Sequence, residues 1–109
     1  MKAYSDCRGA PIGYETRELH FRAREAVSFP TAVAILRMAI SAGYNDFSVD
    51  RLEKLLGGLN LRVVIAREFS VCLYLFSSIS TLVRVQKLIK NEAQEIDFQP
   101  DGSLRLWWD

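Results

Sequence analysis

Residues 60–91 read NLRVVIAREFSVCLYLFSSISTLVRVQKLIKN, the densest apolar run in the chain, and its patterning decides the fold. Leu61, Val63 and Ile65 alternate with Arg62, Val64 and Ala66, the period of two expected of a strand with one face buried. Arg67-Glu68-Phe69-Ser70 interrupts the run and predicts a turn. Val71-Cys72-Leu73-Tyr74-Leu75-Phe76 then resumes it with β-branched and aromatic residues on both faces. So short a connection implies an antiparallel hairpin. A second strand that is apolar on both sides belongs in the middle of a sheet, with a layer or a partner chain over each face. Ser77, Ser78 and Ser80 are alternative N-caps for a following helix. Ile79, Leu82, Val83, Val85, Leu88 and Ile89 give that helix a broad buried stripe, and Arg84, Lys87 and Asn91 a solvated side.

Outward from this centre, Leu19, Phe21 and Ala23 alternate with His20, Arg22 and Arg24, which predicts a strand from Arg17 with an apolar and a basic face. Ser28-Phe29-Pro30 starts a helix, since proline in the first turn loses no hydrogen bond. Val33, Leu36 and Ile40 with Ala32, Ile35 and Ala39 make that helix mostly buried, leaving a narrow polar strip of Thr31, Arg37 and Ser41, and Gly43 stops it. Ser48 caps a short second helix, with a staple between Phe47 and Leu52 and an i,i+4 pair between Asp50 and Lys54. Leu52, Leu55, Leu56 and Leu59 form its apolar side, and Gly57-Gly58 ends it. Towards the C-terminus, Glu95–Phe98 and Leu104–Trp108 flank Gln99-Pro100-Asp101-Gly102-Ser103 and predict a hairpin. The element order is β-α-α-β-β-α-β-β, and the fold class is a two-layer α+β sandwich with a mainly antiparallel sheet. Residues 1–16, with Gly9, Pro11 and Gly13, read as an irregular arm, and residues 17–109 as one domain.

The chain of 109 residues is 50% apolar and 25% charged, proportions of a globular domain able to bury a core unaided. A formal net charge of +1 gives no overall basic excess to mark a nucleic-acid binder. Ten of the fourteen cations are arginine, the cation suited to interfaces, although a GC-rich genome yields the same bias. Cys7 and Cys72 suggest no disulfide framework, and no apolar leader follows Met1, so a reducing, cytoplasmic setting is expected. The longest apolar helical stretch is about half of the roughly 20 residues a bilayer needs, so no membrane contact is expected.

Catalytic and metal-binding patterns are weak. His20 is the single histidine and lies far in sequence from both cysteines, so a zinc site lacks ligands. No nucleophile elbow, phosphate-binding glycine run or Walker lysine occurs, so neither a cofactor nor a small-molecule substrate is indicated. Glu95 and Asp97 share one strand face and read as solvated carboxylates.

The leading functional reading is a small non-catalytic module acting through protein–protein contacts, as a homodimer or in a hetero-complex. It rests on the apolar first helix, the doubly apolar strand 71–76, and Trp107-Trp108 beside Arg105. The alternative is nucleic-acid binding by a basic sheet face composed of His20, Arg22, Arg24, Arg62, Arg105 and Trp107. A variant of it is a helix-turn-helix with Arg51 and Lys54 on the second helix. There the turn of about five residues exceeds the usual three or four, and an ordinary helical hairpin is preferred. An enzyme is the third reading.

Overall fold

The computed structural model of the protein describes residues 20–40 and 46–108. The expected arm of residues 1–16, the start of the first strand at 17–19 and the helix stop at Gly43 lie outside the described residues. The described elements are β1 (His20–Arg22), β2 (Val27–Ser28), α1 (Phe29–Ile40), α2 (Val49–Leu56), β3 (Arg62–Glu68), β4 (Ser70–Phe76), α3 (Ile79–Leu88), β5 (Glu95–Phe98) and β6 (Leu104–Trp107). They form an α+β fold with one antiparallel sheet in the order β1-β3-β4-β6-β5, and β2 also pairs with β3. The expected order holds, with the short β2 added.

Alternation assigns each strand residue to a face, because directly opposed residues in an antiparallel ladder point the same way. Val63 and Ile65 of β3, Val71, Leu73 and Leu75 of β4, and Leu104 and Leu106 of β6 join the buried side chains of the three helices in the main core. From the helices come Phe29, Ala32, Val33 and Leu36, then Val49, Leu52 and Leu56, then Leu82 and Val85. On the opposite face, Val64, Ala66, Cys72 and Tyr74 form a second buried cluster with Ala23, and no helix residue belongs to it. The helices therefore cover one face only. β4 is central and buried on both sides, as the sequence predicts, but its outer side is closed by side chains of the sheet itself.

Local chemistry explains the boundaries. The Ser48 hydroxyl accepts from the Arg51 N–H and the Ser78 hydroxyl from the Thr81 N–H, so α2 and α3 begin where capping predicts. Between β5 and β6 the Gln99 N–H donates to the Ser103 carbonyl at 2.8 Å, and the Asp101 carboxylate accepts from the Ser103 N–H and hydroxyl. Gly102 has φ +90°, which only glycine adopts without strain.

Four expectations need correction. The four-residue turn at 67–70 is far tighter: β3 and β4 stay paired through Glu68 and Ser70, leaving Phe69 alone at the tip with φ +65°. The first strand does not alternate through Arg24. Ala23–Ala26 stand opposite only Val64 and Ile65, a bulge with two extra residues, so Ala23 falls on the outer face instead of the helix face. The stripe of α3 is narrower than expected, because Ile79, Val83 and Leu88 are exposed. In α1, Met38 and Ala34 are exposed as well, so the polar strip is part of a wider solvent side. In both helices the apolar count exceeded what one contact face accommodates. Asp50 also finds Arg37 of α1 at 2.6 Å, and Glu53 joins the same guanidinium at 2.5 Å.

Candidate recognition face

The outer face of the sheet is ordered in rows that the strand register fixes. One row runs Arg22–Ala66–Cys72–Trp107–Glu95 across β1, β3, β4, β6 and β5. The next runs Val64–Tyr74–Arg105–Asp97. Nearer the hairpin tip, His20 lies opposite Glu68, which lies opposite Ser70.

Arg105 is the electrostatic centre of this face. Its guanidinium donates to Glu68 at 2.7 Å, to Glu95 at 2.9 Å and to Asp97 at 2.8 Å. Its side chain retains only 15% of its exposure, whereas those of Glu95 and Asp97 retain about half. Glu68 also accepts from the Tyr74 hydroxyl, and its backbone carbonyl accepts from the Trp107 indole N–H at 2.7 Å. Burial pulls Glu68 towards the neutral acid, yet hydrogen bonds from Arg105 and Tyr74 outweigh it and hold the carboxyl below its ordinary range. Burial, reinforced by the Glu68 charge, pushes the Cys72 thiol up to about 12. Tyr74 is raised too, by burial and then by its bond to Glu68. Burial works against the Arg105 charge, but its carboxylates prevail and raise its pKa.

Around this centre stand the basic and aromatic groups named from sequence. The Arg22 guanidinium lies 4.2 Å from the centre of the Tyr74 ring, a cation–π contact. His20 meets Phe69 edge-on, ring centres 4.5 Å apart. Arg62 donates to the Ala26 carbonyl at 2.7 Å and so braces the bulge. Arg24 is exposed within that bulge. Trp107 is half-buried on the outer face, while Trp108 turns to the main core and packs edge-on against Phe47 at 4.8 Å. His20, Arg22, Arg105 and Trp107 thus share one face; Arg62 and Arg24 sit at its bulged margin.

The helix-pair candidates are placed elsewhere. Arg51 forms a two-pronged ion pair with Glu92, and Lys54 is exposed on α2 near Asp50 and Glu53. Glu68, Tyr74 and Phe69 were missed as site residues. Glu68 and Phe69 fall in what reads as a turn, and Tyr74 in what reads as core; only the pairing register brings them to Arg105. Among the described residues no group of three or more His, Cys, Asp or Glu side chains is placed to hold a metal ion. Nor is any described helix long and apolar enough to cross a membrane. Comparison with known protein families, curated proteins and solved structures found no match.

Proposed function

We propose that the protein is a small non-catalytic binding module that recognises another protein surface through the outer face of its sheet. The observation that carries the reading is the network around Arg105. One guanidinium answers three carboxylates, so the most buried cation of the face is already more than neutralised within the chain. What remains accessible is the mixture typical of protein interfaces: Arg22 on Tyr74, Trp107, the His20–Phe69 pair, and the half-exposed Glu95 and Asp97.

Nucleic-acid binding is the second reading, favoured by the exposed Arg22, Arg24 and Arg62 along the bulged margin. A phosphate backbone crossing the sheet from there would meet Glu95 and Asp97, which opposes the platform version. Fluorescence anisotropy with single-stranded and duplex oligonucleotides separates the two. The protein-contact reading expects no binding at low salt. Tight binding that weakens steeply with salt, through counterion release, and disappears in Arg22→Ala/Arg24→Ala overturns it.

A further inference from the structure

Around the central Arg105–Glu68 pair, the outer face carries its exposed charges towards opposite margins. Arg22 lies on β1, with Arg24 and Arg62 at the adjoining bulge, and Glu95 and Asp97 lie on β5. β4 is the third of the five strands in sheet order, so β1 and β5 are each two strand spacings, about 10 Å, from it. Arg22 and Glu95 moreover end the same register row, Arg22–Ala66–Cys72–Trp107–Glu95. The backbone positions of Arg22 and Glu95 are therefore placed symmetrically about β4 and at the same height along it, with the Arg22 guanidinium leaning inward over Tyr74 and the Glu95 carboxylate turned to Arg105.

Resting on the protein-contact reading, we infer that the partner is a second copy of this chain, docked outer face to outer face about a two-fold axis parallel to β4. Such an axis exchanges left and right of the sheet and preserves height along the strands. It sets β5 of one copy over β1 of the other, with Glu95 facing Arg22 twice in one isologous interface. The alternatives are disfavoured by the same charges. An in-plane axis perpendicular to the strands stacks β5 on β5 and brings four carboxylates together. Pairing β5 edge to edge, centred on Ile96, sets Glu95 directly opposite Asp97, where like charges repel.

The middle of the row suits sheet-on-sheet packing. Cys72 lies on the axis, and Trp107 of each copy, on β6, sets its half-buried ring over β3 of the other, where the small, buried Ala66 leaves room for it. A five-stranded face is roughly 24 Å wide and 15 to 20 Å long, which is below the area of a standard permanent interface. The dimer is accordingly weak, concentration-dependent and sensitive to salt.

Sedimentation velocity of the full chain, from micromolar to millimolar concentration at low and high salt, reads the association. The wild type forms a dimer that weakens as salt rises. Arg22→Glu and Glu95→Arg each face like charges twice and associate about tenfold or more weakly at low salt. An equimolar mixture of the two variants restores association, because both cross-pairs then join opposite charges. Circular dichroism confirms that each variant is folded. Should Glu95→Arg unfold beside Arg105, Glu95→Gln replaces it, with an expected loss of about threefold. A wild type that stays monomeric throughout, a dimer indifferent to these substitutions, or two folded variants whose mixture does not associate overturns the assignment of a second copy. These results leave the protein-contact reading standing, since that reading falls on the oligonucleotide measurement alone.

Discussion

The two faces of the sheet are buried to different extents and by different means. Beneath the helices, Leu73, Leu75, Leu104 and Leu106 are fully buried among apolar neighbours, and no polar pairing is needed. On the outer face, Ala66 and Cys72 are just as inaccessible, yet what surrounds them is Arg22, Tyr74, Arg105 and Trp107, tied together by ion pairs and hydrogen bonds. Apolar packing is non-directional and tolerant of partners; the polar network is directional and leaves charged ends exposed. The helix face thus supplies stability, and the outer face supplies a surface with a defined charge pattern.

Substitutions on the two faces should therefore differ in size and in kind. The largest effect belongs to the helix face: Leu73→Ala leaves a cavity in the main core and should cost roughly 2 to 5 kcal/mol in urea unfolding. Glu68→Gln on the outer face weakens the bonds to Arg105 and Tyr74 and should cost about 1 to 2 kcal/mol at neutral pH. That cost should also depend on pH. The folded Glu68 carboxyl titrates below its ordinary value of 4.5, so its stabilisation is fully present above that value and is lost as pH falls through the folded pKa. The stability gap between wild type and Glu68→Gln should then close below about pH 4.5. A gap that is constant with pH would mean that the charge of Glu68 contributes nothing.

Smaller effects sharpen the contrast. Phe69→Gly relieves a left-handed backbone at the hairpin tip and should raise stability by up to about 1 kcal/mol, measured by the same unfolding curves. A loss instead would show that the His20 contact outweighs the strain. Cys72 should resist thiol reagents in a Cys7→Ser background, being fully buried with its thiol held protonated. Rapid labelling of the native protein would show that the outer face opens. Least of all, Arg37→Ala removes an exposed, solvent-screened bridge between α1 and α2 and should leave the unfolding midpoint almost unchanged.

The fold was legible where a local rule suffices. Alternation along Val63–Ala66 and Val71–Phe76, the serine caps at 48 and 78, and the Asp101-Gly102 turn each act within a few residues, and the elements they mark are present. What escaped depends on pairing across the sheet. The bulge at Ala23–Ala26 arises because β1 and β2 pair with the same strand in different registers. The capture of Arg105 by Glu68 joins residues 37 positions apart in sequence. Of the candidate basic face, periodicity correctly grouped His20 with Arg22 and Arg105 with Trp107. It gave no sign that the carboxylates Glu95 and Asp97, read as solvated, stand beside Arg105. The exposed Ile79, Val83 and Met38 show the converse: helical periodicity marks which residues are apolar, and tertiary contact decides which of them are covered.

Those exposed helix residues also define the rival surface, and amide NMR of the full chain as association is driven by concentration compares the two directly. Shifts should appear at His20, Arg22, Cys72, Trp107 and Glu95, with α1 and α3 unchanged. Shifts confined to Met38, Ile79 and Val83, with the outer face silent, would contradict the account and move recognition to the helix layer.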